Sequence, residues 1–360
     1  MSTLHTALDF DTTRLGVIMS PKPGEPHEAW GVLNPGGVRA ADGTMHLFPR
    51  LIAEGNYSRN EPFEVNAGVG AGEDARVVYV PRLKRFVMTY TAFVPYEPRA
   101  ALAISEDLVT WQRLGVLRYE VDSYEGDFNK CGNEDGAFFP DVIFDPEGVP
   151  SFGIFHRSTT RLHFRRYHDG LTVMTPPLSR TGITDMTNLT SVRRHERVMA
   201  PMSSWETKKV GTGTPPVRHP LGWILPYHAV STAGGHPRYS MGIAIRDIER
   251  PSHVSYRRPS RVLEPQADFE RNGLVSDVVF PSAADLRTDG SLVLWRRGSR
   301  HRGGTRRITK SLANRRLAMR RNLLPIFCVR LFRLAFMNLK TDRVDTARQG
   351  TFRPALFSDT

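Results

Sequence analysis

Five times along the chain an apolar run, a turn signal and a second apolar run follow one another. They are Val38 to Phe48 around Asp42-Gly43, Val77 to Tyr90 around Leu83-Lys84, Val142 to Phe155 around Glu147-Gly148, Val217 to Tyr227 around Leu221-Gly222, and Ala283 to Trp295 around Asp289-Gly290. A glycine or a small polar residue between alternating apolar positions is a hairpin signal, because these residues accept the positive φ that a tight reversal needs. The turns recur at gaps of about 40 to 75 residues, room for two further strands between most pairs. Radial repetition of small antiparallel sheets fits this spacing best, so the pattern predicts an all-β, five-bladed β-propeller. A β-sandwich with long loops is the bland alternative.

In a propeller, polar residues near the inner strands of different blades meet at one end of the central channel. Four polar stretches precede the first four hairpins in the same relative position: Leu33 to Gly36, Gly72 to Arg76, Asn133 to Asp141, and Lys209 to Thr214. The last of these opens the stretch Val210 to Val230, a Gly/Pro loop followed by a hairpin that ends in His228. Pro215 and Pro216 forbid a helix after its glycines, which excludes a phosphate loop of the nucleotide-binding kind.

Composition narrows the picture only in places. At 360 residues and 40% hydrophobic, the chain can bury a sizeable core as one large domain or two. It has no apolar run of membrane-spanning length, and its first residues lack a basic region followed by an apolar one, so a cytoplasmic protein without a membrane partner is the default. Cys131 and Cys328 make no disulfide framework, and no Cys-x-x-Cys or His-Glu-x-x-His pattern offers a metal site. The net charge of +12 suggests nucleic acid until its position is considered. Residues 296–360 carry 17 Lys+Arg against 3 Asp+Glu, leaving the rest of the chain close to neutral. This basic stretch lacks the interleaved aromatics of a single-strand binder and contains the apolar run Leu323 to Phe336, so nucleic acid is not the expected partner.

Many short motifs in one order carry a family resemblance. Asn34-Pro, Gly72-Glu-Asp-x-Arg76, Tyr90-Thr-Ala-Phe, Arg99-Ala-Ala-Leu-Ala103, Phe139-Pro, His156-Arg157, Lys209 to Pro216, Gly222-Trp, Tyr227-His228, Asp247 to Pro251 and Val278 to Pro281 together resemble glycoside hydrolase family 130. That family comprises five-bladed propellers, mostly mannoside phosphorylases with some mannosidases, and the likeness runs from about residue 28 to 295. It implies inverting phosphorolysis of a β-mannoside to mannose 1-phosphate, with inorganic phosphate as co-substrate and no cofactor or metal. Hydrolysis of the same bond, or an inactive remnant, are the alternatives. Asp74 matches the family's catalytic carboxylate, which drives departure of the leaving sugar through a proton relay over a mannose hydroxyl. An inverting glycosidase needs a second carboxylate to activate water, whereas phosphorolysis needs cations to hold a phosphate that is already nucleophilic. Arg99, Lys209 and His228 fall on positions associated with phosphate, with Arg157 beside them as a less certain member. Asn34, Arg76 and Asp141 match positions expected to touch sugar hydroxyls. Trp205 and Tyr227 could stack on sugar faces or belong to blade cores. Ala75 and Ala229 depart from the family's proline and glycine, and neither removes a catalytic atom. Acceptor sugar, linkage and any homo-oligomer are left open.

The end of the chain departs from the family. After Val293-Leu294 the family continues Tyr-Tyr-Gly-Ala-Ala-Asp, whereas this chain has Trp295-Arg-Arg-Gly-Ser299. Written as codons, TGG-CGN-CGN-GGN-TCN read one base later becomes GGC-GNC-GNG-GNT, which permits Gly-Ala-Ala-Asp. The expectation is therefore a catalytic propeller over residues 1–295 with its last blade incomplete, followed by a basic, out-of-family tail over 296–360 that is a frameshift product. Such a chain should fold loosely and turn over poorly, because lost closing strands leave open sheet edges.

Overall fold

The computed structural model describes residues 10–56, 58–60, 72–93, 97–121, 127–145, 147–159, 171–175, 186–272, 275–297 and 324–331. They form mostly strands, with four short 3-10 turns and a single turn of α-helix at Asp268–Arg271. The fold is a five-bladed β-propeller, each blade a sheet that runs antiparallel outward from an inner strand, with one parallel pair at the outer edge of blade 3 between Ser191–Met199 and Arg118–Tyr119. The inner strands are Gly31–Arg39 in blade 1, Gly72–Val80 in blade 2, Gly132–Phe138 in blade 3, Lys209–Thr212 in blade 4 and Phe280–Leu286 in blade 5. Blade 1 packs against blades 2 and 5, blade 3 against blades 2 and 4, and blade 4 against blade 5, which closes the ring.

The turn signals fall where alternation places them. Gly43 and Gly290, at φ 86° and 81°, sit at reversals that only a residue without Cβ occupies readily. The third hairpin differs from expectation. Ile143–Phe144 and Pro150–Ser151 make a small ribbon about Glu147-Gly148, while the blade proper pairs Gly132–Phe138 with Ile154–Thr159, so its inner strand begins ten residues earlier than the apolar run at Val142. Between blades lie apolar cores, such as Phe139, Phe155, Trp223 and Tyr227 between blades 3 and 4. Trp205 and Tyr227 belong to this packing: their rings stack at 5.9 Å, and the Tyr227 hydroxyl donates to buried Glu206 at 2.7 Å. They are blade core and do not present sugar platforms.

Blade 5 has four paired strands among the described residues. Its order places Leu324–Leu331 between Ser291–Arg297 and the N-terminal strand Phe10–Met19, with Val293 opposite Cys328 on one side and Thr13 opposite Cys328 on the other. A backbone ladder needs only alternating N–H and C=O groups, so an apolar segment of unrelated sequence can occupy a closing position. Arg296, the first residue of the expected tail, is buried and ion-paired with Glu270, which also accepts from Arg14 Nε at 3.0 Å. Glu270 thereby links the N-terminal strand to Ser291–Arg297 within blade 5. The Arg-rich run after Arg297 and everything beyond Leu331 lie outside the described residues.

Candidate active site

One backbone device recurs at the same end of the channel in three blades. Asn34, Asp74 and Asp135 have φ of 44°, 54° and 57°, and each lies where the inner strand slips register against its neighbour, between Leu33 and Gly36, Glu73 and Arg76, and Glu134 and Ala137. A bulge with a left-handed residue turns one side chain out of the alternating pattern and toward the axis. Asparagine and aspartate tolerate that region better than other residues with a Cβ, and such strain clusters at functional sites. Gly36 follows the first bulge because a Cβ there would meet the Ala75 carbonyl oxygen at 2.8 Å.

Blades 1 and 2 supply the first half of the site. Asn34 Nδ2 donates to Asp74 Oδ1, and Arg50 spans Glu73 and Asp74, approaching the latter at 3.5 Å. Glu73 thus pairs with Arg50 and not with Arg76. Asn34 is buried, and its Oδ1 has no hydrogen-bond partner among the described residues. A buried acceptor without a donor is costly unless a ligand completes it.

Blades 3 and 4 supply the second half, centred on Asp135. Arg157 Nε donates to Asp135 Oδ2 at 2.7 Å, Arg76 NH2 to Oδ1 at 3.2 Å, and His228 Nε2 stands 3.6 Å from Oδ2. Arg157 also bonds Glu134 at 2.6 Å. Burial alone would raise the Asp135 carboxyl, but Arg157, His228, Arg76 and Lys209 hold it well below the usual carboxylate range. His228 Nδ1 donates to the Thr212 carbonyl at 3.2 Å, and its ring lies against Phe280 at 4.4 Å and Tyr239 at 6.2 Å. Burial, helped by Lys209, Arg157 and Arg76 and opposed by Asp135, lowers its pKa to about 3, so the ring is neutral. Nδ1 therefore carries the proton of this neutral ring. Gly211 is required here by contact, since a Cβ would fall 2.3 Å from Asp135 Oδ2. Lys209 Nζ lies over the Tyr239 ring at 5.9 Å.

The other expected residues divide. Arg76 is fully buried and spends its donors on the carbonyls of Asp74, Thr212 and Gly213 at 2.8 to 3.0 Å besides Asp135. It ties blade 2 to blades 3 and 4, with four of its five N–H donors committed to protein acceptors. Asp141 pairs with exposed Arg218 near the start of Gly222–Ser231, whereas His228 is near that strand's end. Six residues beyond Asp135, it has no described contact with Asp135, Arg157 or His228. Arg99 donates to the carbonyls of Cys131 and Phe128 at 2.6 and 3.4 Å, at the junction of blades 2 and 3, and no described contact joins it to Lys209 or His228. Lys209, His228 and Arg157 do come together. Asp135 was missed, although Glu73-Asp74 and Glu134-Asp135 repeat one dipeptide at one blade position.

Two buried histidines make the fold acid-sensitive. His156, hydrogen-bonded through Nδ1 to Asn133, has its pKa pushed well below the usual value by burial and by His195, and His228 is lowered too. With folded values below the unfolded value of about 6.5, the unfolded state binds more protons as pH falls. Stability present above about pH 6.5 should therefore fall steadily toward pH 3, as denaturant midpoints across this range would record. A flat profile would contradict the neutral, buried assignment.

A β-propeller whose channel end gathers Asn34, Asp74, Asp135 and a set of cations has the form of a polar ligand-binding site. Comparison with known proteins narrows the class. The family model described as beta-1,4-mannooligosaccharide phosphorylase, glycoside hydrolase family 130, matches residues 61–301, and the chain belongs to that family. A 1,2-beta-oligomannan phosphorylase of Thermoanaerobacter sp. (strain X514) is 29% identical over 221 residues, 60% of this chain and 61% of its own. A beta-1,4-mannooligosaccharide phosphorylase of Ruminococcus albus is 27% identical over 61% of this chain and 57% of its own. The chain thus spans under two thirds of the length of these curated relatives. The fold matches the beta-1,2-mannobiose phosphorylase of Listeria innocua with a TM-score of 0.58 at 17% identity, over 89% of this chain and 96% of that one.

Proposed function

We propose that this chain cleaves β-mannosides by inverting phosphorolysis, releasing mannose 1-phosphate. The observation that carries the reading is the division of the site: cations on blades 3 and 4, and a bulged carboxylate with its partners on blades 1 and 2. In an inverting displacement a phosphate oxygen bonds to the anomeric carbon on one face while the glycosidic C–O bond breaks on the other. Arg157 and Lys209 would hold the phosphate by charge-assisted bonds. Neutral His228, with Nδ1–H committed to Thr212, can accept from a protonated phosphate oxygen through Nε2. Asp74 supplies the proton that the departing oxygen takes up, and Asn34 Oδ1 accepts from a sugar hydroxyl. Relatives named as mannoside phosphorylases support the same substrate class.

A second reading places proton transfer on Asp135, favoured by its place inside the cation cluster on the same kind of bulge as Asp74. A phosphate dianion bound there would offset Arg157 and Lys209 and raise that carboxyl's proton affinity.

Sugar 1-phosphate release, measured with and without inorganic phosphate, tests the function. Lys209→Ala should raise the KM for phosphate by about tenfold or more while changing that for mannoside less, since one charge-assisted contact is worth about 1.5 to 3 kcal/mol. Equal turnover in the absence of phosphate would move the function to hydrolysis.

A further inference from the structure

The cation cluster of blades 3 and 4 contains acceptors as well as donors. Neutral His228 donates through Nδ1 to the Thr212 carbonyl, which can only accept, so its Nε2 carries a lone pair. That lone pair stands 3.6 Å from Asp135 Oδ2, itself an acceptor, with no proton of either group between them. A further acceptor is Glu134. Strand pairing sets it directly across from Arg157, and its Oε2 accepts from Arg157 Nη2 at 2.6 Å. The Asp135 side chain is 4% exposed, whereas that of Glu134 is 32% exposed and has no other described contact, which leaves its second oxygen able to accept from a ligand.

These acceptors decide what kind of anion the cations can hold. Three cations, Arg76, Arg157 and Lys209, stand against two carboxylates, Asp135 and Glu134, so the cluster keeps one positive charge. Hydrogen phosphate and sulfate are both tetrahedral dianions above neutral pH, and that charge attracts them alike. They differ by one proton. Hydrogen phosphate has a P–OH that donates, while sulfate presents acceptor oxygens only. Arg157 commits Nε to Asp135 and one Nη2 hydrogen to Glu134, so an anion held end-on by its remaining N–H groups shares Nη2 with the Glu134 carboxylate. A P–OH turned to that carboxylate, or to His228 Nε2, makes it a hydrogen-bond partner. A sulfate oxygen in the same place meets repulsion and leaves the acceptor unpaired.

We propose that Glu134, together with the Nε2 lone pair of His228, is a specificity device that admits protonated tetrahedral oxyanions and rejects sulfate. The inference rests on the phosphorolysis reading for the place of the anion. Calorimetric titration of the full chain with inorganic phosphate, arsenate and sulfate at about pH 7.5 tests it without requiring turnover. Hydrogen arsenate keeps the donating proton, so it should bind about as tightly as phosphate, and sulfate about a hundredfold more weakly. Glu134→Gln keeps the shape and supplies N–H donors, and it should tighten sulfate binding by about tenfold or more. Phosphate should change less, because a lost acceptor offsets the lost repulsion. Glu134→Ala removes the same repulsion and should narrow the ratio in the same direction. A gain in affinity for one anion is not what simple damage to the fold produces. Sulfate bound as tightly as phosphate by the unmodified protein overturns the inference, as do folded Glu134 variants that keep the original ratio. Failure of all three anions to bind overturns it together with the phosphorolysis reading. Selective phosphate binding in a protein without phosphate-dependent turnover would refute phosphorolysis alone and leave the specificity device standing.

Discussion

Asp74→Asn is expected to leave the propeller intact and to slow mannose 1-phosphate formation by about 10²- to 10⁴-fold, the usual scale for loss of a positioned acid. The fold should survive because asparagine keeps an acceptor for Asn34 Nδ2 and Arg50 and tolerates the left-handed φ of 54° that Asp74 adopts. Rate alone would not separate Asp74 from Asp135, since both sit on bulges at the same channel end. The leaving group separates them. An aryl β-mannoside whose phenolate departs without protonation bypasses the acid, so the variant of the true donor recovers near-normal turnover on that substrate. Recovery in Asp74→Asn with none in Asp135→Asn is the expected pattern. The reverse would move proton transfer to Asp135, and recovery in neither would remove both from the acid role.

What could be read from the amino-acid order divides along the range of the forces involved. Hairpin turns at Gly43 and Gly290 were legible because alternation and positive φ are properties of a few adjacent residues. Asn34 and Asp74 were legible as family motifs, but the bulges that carry them were not. Arg76 was not. Whether its guanidinium faces a sugar or is consumed by the carbonyls of Thr212 and Gly213 depends on a blade 136 residues away, which no local pattern encodes. Asp135 escaped notice on similar grounds, while Asp141 was singled out by the family resemblance. Both follow Asn133 closely, but only the bulge after Glu134 turns a carboxylate into the cation cluster, while Asp141 runs on to the exposed Arg218. The charge of His228 was likewise hidden, being set by burial against Phe280 and by three cations from other strands. At the last blade, resemblance ended while backbone pairing continued, because a ladder constrains side chains weakly.

Replacing Asp135 by alanine is expected to cost more stability than any other single change in the site, about 3 to 5 kcal/mol, the scale for breaking a buried pair from one side. Three observations set this apart from a surface ion pair. The carboxylate and both guanidiniums are almost fully buried, Arg157 at 2.7 Å and Arg76 at 3.2 Å use separate oxygens, and Gly211 leaves no room for a larger group to fill the gap. Without the carboxylate, Arg76, Arg157 and Lys209 lose their shared buried counter-charge in a low-dielectric site, and Arg157 keeps only Glu134. Asp135→Asn should be milder, since the amide oxygen still accepts one of the two hydrogen bonds and only the charge is lost. The pH dependence has a defined sign. A carboxyl held below its unfolded value contributes stability that is present above the unfolded pKa of about 3.9 and disappears as pH falls through the folded one. The unmodified protein should therefore be more stable than Asp135→Ala at neutral pH by the full difference, and the gap should narrow in strong acid. Thermal or denaturant unfolding of both proteins at pH 7 and pH 3 checks this. If Asp135→Ala unfolds with the unmodified protein at pH 7, the carboxylate does not hold the cations of blades 2, 3 and 4 together, and its burial among them has another cause.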